Sequence, residues 1–564
     1  MSSWEETAAK KRDQLFHKIP TEWVLPKEIL DRAKDRLNLT GSFLEELLDS
    51  HTRRITSLDS VELVDAVSNG SFTAVQVATA FCKRTAFAHQ LNCNLLEILF
   101  EPALERAREL DCHFSKTNKP IGPLHGLPIS LKDQFHVKGG ETTMAYVGWI
   151  GSFEGEKGTG KEGNFESELV RELVALGAIP IAKTSLTQTL WCAETNNNIL
   201  GYNWLPHNQE LSSGGSSGGQ GALQALRGTT LGFGTDVGGS VSIPAAFNGL
   251  YSLKPSHGRL PFKGVPNSSP GQHIIPTVVG IFGTDISCLQ FGFRSLMAAK
   301  PWLSDPHVLE MPWNEDATSQ IEDRSKKQKL YFGIMEDDGI VKPHPPILRA
   351  VRMVKEALRA KGYKTLAWHP PSHSESESIH SGITNADGCP DVIKRLKLSG
   401  EPVIPELETE LGDEPQPPIS LPQLYEWMRR LKHYREDYHN YWMSTSEGDD
   451  DENPVDAVIL PVAPHAAVIP GKWYHYTYGN LANTLDRPTV VIPVTTADSH
   501  IDLFDLEYKP INETDRNNWL SYDAEKYAGA PASVQILGTN LGEEKLLRLA
   551  QAVVDALNDY KLGL

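Results

Sequence analysis

Two glycine-framed serine runs constrain this chain more than any other feature: Gly214-Gly215-Ser216-Ser217-Gly218-Gly219 and Gly238-Gly239-Ser240. Backbone without a Cβ reaches conformations that other residues avoid, so several amide N–H groups can turn toward one point. A serine beside such amides is a candidate nucleophile whose own backbone supplies an oxyanion hole. A Gly/Ser run standing alone makes flexible coil and reads as a linker. Here a helix-like stretch, Gly221 to Arg227, and a strand-like one, Thr229 to Phe233, separate the two runs. The first run would then lead into a helix N-terminus, where free N–H groups and a partial positive charge stabilise a transient alkoxide. The second would follow a strand as a tight loop, with the amides of Val237, Gly238, Gly239 and Ser240 converging on one oxygen.

The remainder of the chain alternates helix and strand. Asp59 with Glu62 and Thr73 with Gln76 form capping pairs. Leu95 to Leu110 reads as helix. Glu166 to Leu176 has helical period, Gly177 fits the C′ position, and Ala178 to Lys183 reads as a strand. Farther on, Tyr331 to Ile334, Ala457 to Leu460, Thr489 to Pro493 and Ala532 to Leu537 are strand-like, and Pro346 to Lys361 is helical. This order predicts an α/β fold, a large sheet with helices on both faces. No internal repeat and no long linker divides the 564 residues. The expected organisation is a helical segment over 1–57 packed on a single domain over 58–564, with the chemistry in 120–300 and an elaboration over 305–560.

Composition narrows the function. A net charge of −18 repels nucleic acid and anionic membranes. The six cysteines (Cys82, Cys93, Cys112, Cys192, Cys288, Cys389) have neither metal spacing nor a disulfide framework and read as reduced thiols. The acidic start, Trp4-Glu5-Glu6, lacks the apolar run of a signal peptide, and no stretch approaches the ~20 apolar residues of a membrane span. A cytoplasmic enzyme is the expectation. Gly155 to Lys161 nearly matches a phosphate-binding loop, but Glu162 stands where Mg²⁺ coordination needs Ser or Thr. The acidic stretch Ser444 to Glu452 lacks calcium-loop spacing, and no zinc-type His pair is present, so neither metal nor cofactor is expected.

A serine nucleophile needs a base. Ser240 does not lie in a Gly-x-Ser-x-Gly elbow. Lys132 closes an apolar run, Leu127 to Leu131, that should be buried, and desolvation would free its lone pair. Its neighbour Asp133 should point to the opposite face of the strand. The plainer reading of Lys132 is a strand-end lysine with its head in water.

Taken together, Pro123 to Asp133 (Pro-Leu-His-Gly-Leu-Pro-Ile-Ser-Leu-Lys-Asp), Gly214 to Gly219, Gly234 to Ser240 and Leu253 to Pro261 resemble, in order, the motifs of the amidase signature family. Pro343 to Arg349, Ser399 to Pro402 and Gly529 to Pro531 resemble its fungal acetamidase-type branch. The resemblance implies hydrolysis of carboxamides through a Ser–cis-Ser–Lys triad. Ser240 would be the acyl-forming nucleophile, Ser216 the bridging serine in a cis peptide and Lys132 the base. Amides 237–240 would form the oxyanion hole. It further implies substrate contact near Met144, Gln188, Trp191 and Ser217, a small amide as the partner, and a homodimer. Two other readings stay open: the glutaminase subunit of a tRNA-dependent amidotransferase, and a catalytically silent binding protein. The chain departs from the family at Ser242, where arginine is usual, so Asp236 is expected to pair with Arg259 or to stay solvated.

Overall fold

The strand Pro128–Lys132 is buried along its whole length, and so are Leu231–Asp236, Val278–Gly283, Ala457–Pro461 and Pro531–Leu537. Strands with both faces covered read as continuous apolar runs rather than alternating ones. In the computed structural model, which describes residues 3–446 and 453–563, these strands belong to one eleven-stranded mixed sheet. From one edge its order is Leu95–Ile98, Ile179–Thr184, Pro128–Lys132, Leu231–Asp236, Val278–Gly283, Tyr251–Lys254, Thr489–Thr496, Pro531–Leu537, Ala457–Pro461, Tyr331–Ile334 and Lys364–Ala367. Pro128–Lys132 runs parallel to both of its neighbours, which brings its C-terminal end level with theirs. The fold is α/β, as the alternation predicts.

Local signals account for many boundaries. Both expected capping boxes are present, Asp59 with Glu62 and Thr73 with Gln76. Gly177, at φ +98°, follows the helix Glu168–Ala175 and its cap Leu176. One expectation fails: Leu95–Ile98 is a strand, and helix begins only at Phe100. Its antiparallel pairing with Ile179–Thr184 outweighs helical propensity. The pairing also buries Glu97, which takes Lys11 of the first helix at 2.8 Å. The 24-residue helix Leu421–Ser444 has no counterpart in the sequence reading. Most of the acidic stretch Ser444 to Glu452 lies outside the described residues. Among the described residues no helix is long and apolar enough to cross a membrane.

Arg259 ties the two halves of the chain. Its guanidinium is buried against Glu543 and, at 2.7 Å, Glu544, both in the first turn of the final helix Glu543–Leu562. Removing one partner of such a pair leaves uncompensated buried charge. Arg259→Met should therefore lower stability by about 3–5 kcal/mol, read as a fall in urea midpoint at unchanged slope.

Candidate active site

Three segments distant in sequence meet at the C-terminal end of Pro128–Lys132. Lys132 closes that strand, Thr235 lies on the neighbouring strand, and Ser216 sits just before the helix Gly218–Ala225. Lys132 Nζ is 2.7 Å from Ser216 Oγ and 3.0 Å from Thr235 Oγ1. Thr235 Oγ1 is in turn 2.7 Å from Gln134 Oε1, and Gln134 Nε2 is 2.6 Å from the Pro266 carbonyl. All four side chains are buried. Burial pushes the Lys132 amine down to about 7, against the field of Asp236, which favours the charged form. Asp133 turns away, as strand geometry predicts, and pairs with Lys183 at 2.9 Å. The Gly215–Ser216 peptide is cis. A Cβ on Gly215 would lie 2.6 Å from the Cys192 carbonyl, so only glycine lets this turn pass.

The loop after Thr235 is organised by Asp236. Its buried carboxylate accepts the amides of Gly239 (2.8 Å), Val241 (2.7 Å) and Ser242 (3.3 Å). This overturns both expectations for Asp236: Arg259 is held by Glu543 and Glu544, and the carboxylate is not solvated. Backbone donors occupy it instead. The same bonds alter the expected oxyanion hole, because the Gly239 amide is committed to Asp236. The amides of Val237, Gly238 and Ser240 donate to no acceptor among the described residues. Gly239 itself takes φ +104°, a conformation that favours glycine. Among the described residues no hydrogen bond joins Ser240 Oγ to Ser216.

Ser240 is half-buried and opens into a cavity of about 510 Å³. Trp191, Val237, Gly238, His380 and Asn480 are among its walls. His380 comes from the helix His373–Thr384, and its Nε2 donates to the Val237 carbonyl at 2.8 Å. Of the expected substrate contacts, Trp191 lines this cavity and three others do not. Met144 is fully buried, and its amide bonds to Asp133 at 3.0 Å. Gln188 is spent on structure, bonding Glu401, the Pro402 carbonyl and the Ile404 amide. Ser217 packs behind the strand, with its Oγ 2.9 Å from where a Cβ on Gly234 would lie.

The sequence profile of the Amidase family matches residues 76–547. The chain belongs to the amidase family. An acetamidase of Aspergillus oryzae is 40% identical to this amidase over 553 residues, spanning 98% of each chain. An acetamidase of Emericella nidulans is 40% identical over 554 residues, again spanning 98% of each. The solved structure of a fatty acid amide hydrolase superposes with a TM-score of 0.88 at 31% identity, covering 98% of this chain and 95% of that one. The amidase is thus an amide hydrolase with the fold of that family.

Sequence reasoning missed three residues around the amidase site. Thr235 and Gln134 lie inside or next to the motifs already singled out, where hydroxyl and amide side chains beside a buried lysine were the available signal. His380 sits in a region with no motif at all. Removing the acceptor that organises the Ser240 loop should be costly. Asp236→Ala leaves buried amides unpaired and should destabilise the amidase by at least about 1–3 kcal/mol, measured by urea unfolding, with Asp236→Asn intermediate.

Proposed function

We propose that the enzyme hydrolyses linear carboxamides through Ser240, Ser216 and Lys132. Neutral Lys132 accepts the Ser216 proton while Ser216 accepts that of Ser240. Ser240 Oγ attacks the amide carbonyl, and the negative charge on its oxygen falls to the amides of Val237, Gly238 and Ser240. Each such donor contributes about 2.7–4 kcal/mol to lowering the barrier. Ser216 then protonates the leaving nitrogen and takes back a proton from Lys132, so ammonia or an amine departs and an acyl-Ser240 ester remains. Water enters by the same relay and releases the acid. Catalytic hydrogen bonds commonly tighten only when substrate is bound, and the Ser216–Ser240 step is of this kind.

The observation that carries this reading is the 2.7 Å contact between a buried, carboxylate-free amine and the Ser216 hydroxyl. The names of the acetamidase relatives support a carboxamide substrate, and the cavity of about 510 Å³ has room for an acyl group longer than acetyl.

Ser240→Ala should lower amide turnover by at least about 10⁴-fold while the protein stays folded. Ammonia release measured on a panel of carboxamides tests this, and near-normal turnover would remove Ser240 from the reaction. The relay needs neutral Lys132, so kcat/KM should fall on the acid side with a midpoint near the Lys132 value of about 7. A profile flat from neutral pH down to the carboxylate range would contradict the assignment of the base.

A further inference from the structure

We propose that Gln134 is a positioning residue that sets the direction of the hydrogen bonds around Lys132, so that the amine keeps its lone pair for Ser216. The proposal rests on the triad reading above. It follows from which groups are able to donate.

The Pro266 carbonyl can only accept, so the group 2.6 Å from it must be the amide nitrogen of Gln134. That fixes the side-chain amide and turns Oε1 toward Thr235. An amide oxygen also can only accept, so the single hydroxyl hydrogen of Thr235 goes to Gln134 across 2.7 Å. Thr235 Oγ1 then has only lone pairs left for Lys132, 3.0 Å away, and the amine must supply the N–H. A neutral amine has one lone pair. With an N–H committed to Thr235, that lone pair is left for the Ser216 hydroxyl at 2.7 Å.

Without the Gln134 acceptor, the Thr235 hydrogen would turn to the best acceptor in reach, the Lys132 lone pair, and compete with Ser216 for it. Gln134, Thr235 and Lys132 are at most 2% exposed, so water does not reset the pattern. Gln134 thus acts through Thr235. Among the charged groups near Lys132, Asp236 favours its protonated form and is shared with Lys254 and His380, while Asp133 is engaged by Lys183.

The test is a double-mutant cycle with Gln134→Met, Thr235→Val and the pair, reading kcat/KM for one amide across the acid limb. Gln134→Met alone should lower the plateau by about tenfold or more. It should also move the acid limb to lower pH, because a hydroxyl hydrogen aimed at the lone pair favours the neutral amine. In the Thr235→Val background no hydroxyl competes, so the same substitution should change the plateau by less than about threefold.

An equal penalty in both backgrounds would mean that Gln134 merely anchors the Pro266 loop and would overturn the proposal, as would no penalty in either. Gln134→Glu is the second variant, should Gln134→Met fail to fold. Its protonated carboxyl keeps both contacts, an O–H for the Pro266 carbonyl and an acceptor oxygen for Thr235, so it should lose less of the plateau than Gln134→Met. A plateau as low as that of Gln134→Met would overturn the proposal. Full activity of Lys132→Ala would overturn the triad reading and this proposal together. An inactive Lys132→Ala beside a background-independent penalty would overturn this proposal alone.

Discussion

An amine at the end of a strand covered on both faces has no water with which to stabilise a positive charge. A buried ammonium must be paired, or it gives up its proton. Two lysines on adjacent strands show the two outcomes. Lys183 and Lys132 are both fully buried. Burial lowers the Lys183 amine too, and the Asp133 carboxylate at 2.9 Å works against that. Lys132 has two hydroxyls, and the carboxylate whose field reaches it is occupied by three backbone amides. The difference is a matter of one residue along a strand, since successive side chains point to opposite faces. It separates a structural ion pair from an amine that is poised near neutrality.

The other parts of the site serve that amine. Parallel pairing of Pro128–Lys132 with Leu231–Asp236 sets Lys132 beside Thr235. The Gly215 turn passes close under the Cys192 carbonyl and delivers Ser216. Asp236 then gathers the following loop on its own carboxylate, which directs Ser240 and its neighbouring amides toward the cavity. The helix carrying His380 bonds the Val237 carbonyl from the far side, so a segment from the C-terminal half closes over a loop from the N-terminal half. The Arg259 pairs with Glu543 and Glu544 bind the same halves together at a second place.

Much of this was legible in the chain itself. The capping pairs at Asp59 and Thr73 and the Gly177 stop are local devices, and local devices survive folding. The apolar run ending in Lys132 offered a buried amine beside the plainer reading of a strand-end lysine in water, and the structure puts the amine against Ser216. The failures were of another kind. Leu95–Ile98 is a strand because of a partner strand some eighty residues later, which no local pattern reveals. Asp236 was matched with an arginine because charge invites charge, yet three amides of its own loop satisfy it. Met144, Gln188 and Ser217 were placed at the substrate by resemblance, and all three are buried away from the walls of the cavity beside Ser240. His380 reaches the site by tertiary docking alone.

The ionisation of Lys132 tests the account most directly. In protein labelled at lysine ¹³Cε and carrying Ser240→Ala to keep it unreacted, the resonance lost in Lys132→Ala identifies this residue. Its chemical shift should titrate with a midpoint near 7. A midpoint in the ordinary lysine range, about 10.4, would show a charged amine at working pH and contradict the claim that burial has made it a base.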